Sequence, residues 1–246
     1  MQHYIDELKQ RYSLDSNPYF AHLSDGSFSR EDFVETQVQF LFAVVFFSRP
    51  MSVLAARLPR PEHRFSSLYN VMEEHGEGNI RSSHESTFYA FLDRMGVEPA
   101  YIESRGLWPA VRAFNTALGG VCLMDDLYSA VAAMGIIEDL FSDISARIGQ
   151  AVVQNEWLKE AELLHYNVHK DLDEEHAEEF YHIIRPLYGN HPRIDYQIQQ
   201  GLEFGAYIFM TMYKELYASR NRRWERQVGG PHSVADGWYF DADAVS

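Results

Sequence analysis

Apolar positions recur at helical spacing along nearly the whole chain, and no stretch alternates apolar and polar residues with the period of a strand. Residues 2–13 read as a short amphipathic start. Asn17-Pro18 signals a turn, after which Tyr19 and Phe20 resume the apolar pattern. Ser29, with Asp32 three residues on, has the form of a capping box and predicts a long helix from Arg30 to Leu58. Pro50 lies inside it and is expected to bend or break it, because proline removes a backbone donor. Pro61 opens the next helix, which runs to the break His75-Gly76-Glu77-Gly78. Ser83 is placed to cap another, carrying Phe88, Phe91, Leu92 and Met95 and stopped by Gly96. Helices over 108–118 and 123–148 follow. A charged segment with four histidines begins at Asn155, is expected to be interrupted near Asn167, and ends at Pro186 and Gly189. The last helix, 194–219, carries Ile198, Leu202, Tyr207, Phe209 and Met212. The pattern predicts an all-α chain with one helical domain over 1–219 and a polar tail over 220–246.

Composition narrows the function classes. The 246 residues include 21 Lys and Arg against 36 Asp and Glu, a net charge of −15, which argues against a general nucleic-acid binder. Hydrophobic residues, at 46%, suffice for a buried core. A single cysteine, Cys122, excludes disulfide frameworks and cysteine-based zinc sites. The N-terminal residues have no signal-peptide character, and the longest apolar run, residues 40–47, is short of the about 20 residues a membrane span needs. The expectation is a soluble cytoplasmic protein with no membrane or nucleic-acid partner. In the tail, Arg220, Arg222, Arg223 and Arg226 suit the negative end of the preceding helix dipole, with an anionic partner as the other reading. Trp238, Tyr239 and Phe240 have the character of a docking segment.

The chemistry concentrates in three places. In His165-Tyr-Asn-Val-His169-Lys-Asp-Leu-Asp173-Glu-Glu-His176, spacings of four and three residues put His169, Asp173 and His176 on one face of a helix. Imidazole and carboxylate converging on one stripe suit iron or manganese; an exposed acidic helix with incidental histidines is the other reading. In Asn70-Val-Met-Glu73-Glu74-His75-Gly76-Glu77-Gly78, an acidic helix end meets a glycine-rich break, and His84 follows. Glu138 ends the apolar run 131–137, where an ionised carboxylate needs a cation or a partner if it is buried, or else faces solvent.

These segments together resemble the heme-oxygenase-like di-iron oxidases and oxygenases, in the wider group that includes thiaminase II and the pyrroloquinoline quinone biosynthesis protein C. The shared pattern is Asn-x-x-[Asp/Glu]-Glu-x-Gly with a His shortly after, a mid-chain Glu on an apolar helix, and a late His-x-x-x-Asp-x-x-His. The opening Asn17-Pro18-Tyr19-Phe20 and Gly26-Ser27-Phe28-Ser29-Arg30-Glu31-Asp32-Phe33 also fits. The resemblance spans residues 15–215 and implies a heme-oxygenase-like bundle of about seven core helices. It implies Glu74, His84, Glu138, His169, Asp173 and His176 as ligands of two ferrous ions, with O2 as co-substrate and Glu74, Glu138 and Asp173 as the catalytic carboxylates. Glu77 competes with Glu74 as the first carboxylate; Glu74 keeps its offset of four from Asn70.

The activity this implies is O2-dependent oxidation of a small molecule in biosynthesis. The implied substrate is an amino acid or its derivative, undergoing N-oxygenation, C–C cleavage, decarboxylation or nitrile formation; the alternative is oxidative decarboxylation or desaturation of a fatty acid. A homodimer is implied, and an external electron donor is compatible. Phe42, Phe46, Arg49, Tyr128 and Met134 are the candidate substrate contacts, with core packing as the competing role for each aromatic. A metal-free thiaminase- or quinone-type enzyme and a non-catalytic helical binding protein are the competing classes. Cys122 lies mid-chain with no later cysteine, against the thiaminase pattern.

Overall fold

The computed structural model describes residues 1–225, leaving aside the side chains of residues 164 and 167–174 within one helix. Ten α-helices are present among the described residues: α1 (Gln2–Arg11), α2 (Pro18–Ser24), α3 (Arg30–Arg57), α4 (Pro61–Glu74), α5 (His84–Arg94), α6 (Pro99–Glu103), α7 (Pro109–Met124), α8 (Leu127–Gln154), α9 (Leu164–Ile184) and α10 (Pro192–Ala218). No β-strand occurs among the described residues beyond an isolated bridge between Arg105 and Glu225. The seven longer helices, α3–α5 and α7–α10, form the bundle, and α1, α2 and α6 are short flanking pieces.

Local sequence sets most helix starts. Ser29 Oγ accepts from Asp32 N at 3.1 Å to begin α3, and Ser83 Oγ accepts from Ser86 N at 3.1 Å to begin α5. α3 runs on through Pro50, so of the two outcomes expected there, a bend or a break, the break does not occur. Arg49 Nη1 donates to the Val45 carbonyl (3.1 Å) and Ser52 Oγ to that of Ser48 (2.8 Å), on either side of the Phe46 carbonyl, whose i+4 partner is the proline. The boundary between α7 and α8 lies at Asp125-Asp126, not near residue 120. Asp126 Oδ1 accepts from the amides of Tyr128 and Ser129, both at 3.0 Å. Asn155 closes α8 instead of opening α9, which starts at Leu164.

The core is continuous and strongly aromatic, with Trp108, Tyr19, Tyr166, Tyr181, Tyr213 and Phe33 among its fully buried side chains. α10 lies against α8 at glycine positions. A Cβ on Gly201 would sit 2.2 Å from the Ser129 carbonyl oxygen, and one on Gly205 2.6 Å from Ile136 Cγ2. α3 is long and apolar enough to cross a membrane, but 61% of its most apolar window is buried inside the fold. After α10 the chain turns back over α3. Arg223 Nη2 donates to Asp32 Oδ1 (2.9 Å), and the Trp224 carbonyl accepts from Gly106 N (2.8 Å). Two of the tail's clustered arginines, Arg220 and Arg223, thus pair with acids of α3.

Candidate metal centre

α4 ends at Glu74 because the backbone leaves helical geometry at His75 and turns left-handed at Gly76 (φ +70°). A Cβ on Gly76 would fall 2.6 Å from Ser83 N, so glycine is what lets the returning chain approach this closely. Two short 3-10 turns, 76–78 and 80–82, complete the reversal, and Ser83 then caps α5 with His84 as its first residue. The loop thereby places Glu74 Oε1 2.8 Å from His84 Nδ1, with both side chains buried.

Glu138 sits mid-way along α8 among apolar neighbours and is only 2% exposed. Glu74, His84, Glu138 and His165 of α9 all line one cavity. Its apolar wall on α3 is Phe40, Ala43, Val44 and Phe47, spaced i, i+3, i+4, i+7, and Phe114, Phe141 and Phe209 close the other sides. The cavity's volume is about 30 Å3, room for a water or two, or for ions. No lysine or arginine is among the described residues lining it. Ionised carboxylates in such walls are costly unless a cation or protonated imidazole balances them.

The other sequence candidates are placed differently. His176 is buried, and its Nε2 hydrogen-bonds Glu73 Oε2 at 2.9 Å. His169 and Asp173 lie outside the described side chains. Glu77 is exposed, held at φ +53°, and accepts a hydrogen bond from the Tyr69 hydroxyl at 3.0 Å. Of the candidate substrate contacts, Phe42 is wholly buried, with its carbonyl accepting from Asn115 Nδ2, and Phe46 lies against Gly119 of α7. Arg49 Nη1 donates to the Val45 carbonyl of its own helix, and its charge also acts on Glu85 of α5. Met134 is fully buried one turn before Glu138, and Tyr128 lies ten residues before it, about 15 Å along the helix axis. The α3 stripe that reaches the cavity thus runs through Phe40 and Phe47, neighbours of the phenylalanines the sequence singled out.

His165 is the residue the sequence reading passed over. It is 1% exposed and lines the cavity beside Glu138 and His84. Its signal was available: it stands four residues before His169, between apolar Leu164 and Tyr166, an unusual setting for an incidental surface histidine.

Among the described residues, no group of three or more His, Cys, Asp or Glu is gathered tightly enough to hold a metal ion. The donor chemistry nevertheless fits iron. Two carboxylates and two imidazoles, all buried, face one small cavity whose described lining offers no other cation. Cys122 offers no thiolate, since burial pushes its thiol up to about 12.

Residues 34–207 match a family model described as iron-containing redox enzyme. No curated protein matches the sequence. Among solved structures, the chain is similar to a domain of unknown function with a heme oxygenase-like fold from Shewanella denitrificans (12% identity, TM-score 0.72, covering 87% of this chain and 90% of that one). It is similar to a CADD-like protein of unknown function from Nostoc punctiforme (17%, 0.70, 90% and 98%). A TenA homologue from Pseudomonas syringae is a third (19%, 0.68, 87% and 90%). At these identities the structural likeness shows the fold. The family match covers most of the chain, and with this helical architecture the protein belongs to the iron-containing redox enzymes of heme-oxygenase-like fold.

Proposed function

We propose that the protein is a di-iron enzyme that uses O2 to oxidise a small molecule, with Glu74, His84, Glu138, His169, Asp173 and His176 as the ligands of two ferrous ions. The observation that carries this reading is the cavity, where acids and imidazoles from α4, α5, α8 and α9 meet inside apolar walls. Iron bound there supplies the redox chemistry that allows O2 to react at an appreciable rate. The chain's own part is to orient, to exclude water and to balance charge. Glu74 and Glu138 bring negative charge to a low-dielectric space, where it favours cations strongly. The loop 75–83 sets the distance between Glu74 and His84, and the aromatic walls keep bulk water away.

The substrate we favour is an amino acid or derivative with an apolar or aromatic part; a fatty acid is the second candidate. The apolar lining supports both. A cavity of about 30 Å3 is far smaller than either, so binding requires the aromatic wall to part. A substrate carboxylate would stay toward the mouth, since the described lining holds no lysine or arginine.

Anaerobic Fe(II) titration followed by exposure to O2 tests the reading. The expected result is two irons bound per chain and an optical change on oxygenation, both lost in Glu74→Ala and Glu138→Ala. A parent protein that binds no iron would sink the proposal. A mass-resolved screen of amino acids, modified aromatic amino acids and fatty acids then separates the substrate classes.

A further inference from the structure

We propose that His165 is a further metal-ligating residue of this cavity, and that Thr87 is the positioning residue that holds its imidazole in the tautomer a ligand needs. The proposal rests on the iron reading above and deepens it.

The placement of one hydroxyl proton sets the tautomer. Thr87 is on α5, three residues after His84, and its Oγ1 donates to the His84 carbonyl at 3.0 Å. The same Oγ1 lies 3.1 Å from His165 Nδ1. The hydroxyl has one proton and a carbonyl only accepts; with that proton on the His84 carbonyl, Oγ1 accepts at the second contact and His165 Nδ1–H donates, which is the arrangement proposed. A neutral imidazole with its proton on Nδ1 carries its lone pair on Nε2. Fixing one ring nitrogen by a hydrogen bond so that the other can ligate is how proteins present histidine to metals.

Packing holds the ring in that orientation. The Phe88 ring meets it edge-on, with centroids 4.7 Å apart, and the His84 ring stands nearly perpendicular at 6.2 Å. His165 is 1% exposed and lines the cavity together with Glu74, His84 and Glu138. Any buried histidine needs a partner for its ring N–H; what goes beyond packing is that this ring also lines a cavity with two carboxylates and a second imidazole. Thr87 also couples the two imidazoles, because it bonds the backbone of His84 and the ring of His165.

Two measurements test this. In the metal-free parent, 15N NMR of the histidine rings is expected to place the His165 proton on Nδ1. Co(II), an optical probe, is expected to bind the parent with a visible absorption band. Thr87→Val, close to the native side chain in shape, is expected to weaken Co(II) binding by about 10- to 100-fold, and Thr87→Ser is expected to restore it. His165→Ala is expected to shift the band as well as weaken binding, which a purely structural loss would not do. If the parent binds Co(II) while Thr87→Val and His165→Ala match it in affinity and spectrum, the ligand role is overturned. A proton found on Nε2 overturns it too. If the parent itself binds neither Co(II) nor Fe(II), the iron reading fails and takes the ligand role with it, a result distinct from the first because there the parent binds.

Discussion

At Gly76 a backbone angle and a steric contact together decide where two acids and a histidine go. The left-handed φ of +70° and a Cβ position 2.6 Å from Ser83 N leave no room for a side chain. Gly76→Ala is therefore expected to lose about 1–3 kcal/mol of stability and to weaken iron binding by displacing His84 from Glu74; thermal unfolding and Fe(II) titration would read both. Glu77→Gly is expected to keep iron affinity, because it relieves a positive φ and removes only the exposed bond from Tyr69. A large loss of iron in that variant would make Glu77 the ligand after all. Sequence offset favours Glu74 over Glu77, and Glu74 is the buried one of the two. Glu35 of α3 is buried beside Tyr101 and Arg105. Its carboxylate is held above the ordinary range by burial, an effect only partly offset by the Tyr101 hydrogen bond and by Arg105 and Arg223. A carboxylate raised on folding contributes stability below its unfolded pKa and loses it as pH rises through its folded value. The parent should therefore lose stability relative to Glu35→Gln as pH rises above the usual carboxylate range, measured by urea unfolding across a pH series. A constant difference at all pH values would refute this.

At the scale of the element, local signals and tertiary contacts divide the work. Ser29, Ser83 and Pro61 announced their helices, because capping and first-turn proline act within one turn. Pro50 does not break its helix, for the complementary reason. Its local cost of about 3 kcal/mol is outweighed by the packing of a 28-residue helix against α4, α5, α7 and α8. The boundary at Asp126 was hidden because apolar residues continue on both sides of it. The close approach of α10 to α8 is also a tertiary fact, visible only as the small-residue spacing Gly201-x-x-x-Gly205. Gly201→Ala is expected to destabilise the protein by about 1–3 kcal/mol or more through overpacking against the Ser129 backbone. An alanine tolerated there without a fall in unfolding temperature would show that the two helices can separate freely.

For the whole molecule, the net charge of −15 is mostly surface, yet Glu74, Glu138 and Glu35 carry part of it inside. If iron binds as proposed, removing it leaves the carboxylates Glu74 and Glu138 without the cations that would balance them. A chelator is expected to lower the unfolding temperature, and Fe(II) at about 100 times its dissociation constant to restore about 2.7 kcal/mol. Equal stability with and without iron would show that the acids are balanced by the protein alone.

The sequence by itself determined the all-helical architecture, the family, and three of the residues that meet at the cavity: Glu74, His84 and Glu138. It could do so because helical period, capping and motif order are properties of neighbours along the chain. Only the tertiary structure decided that His165 joins them and which of the α3 phenylalanines, Phe40 and Phe47, line the cavity. It likewise paired His176 with Glu73. Those outcomes depend on the rotation of each helix about its axis and on which helix lies opposite. That choice is made by close packing among side chains far apart in sequence, where a shift of one residue turns a helix face by about 100°.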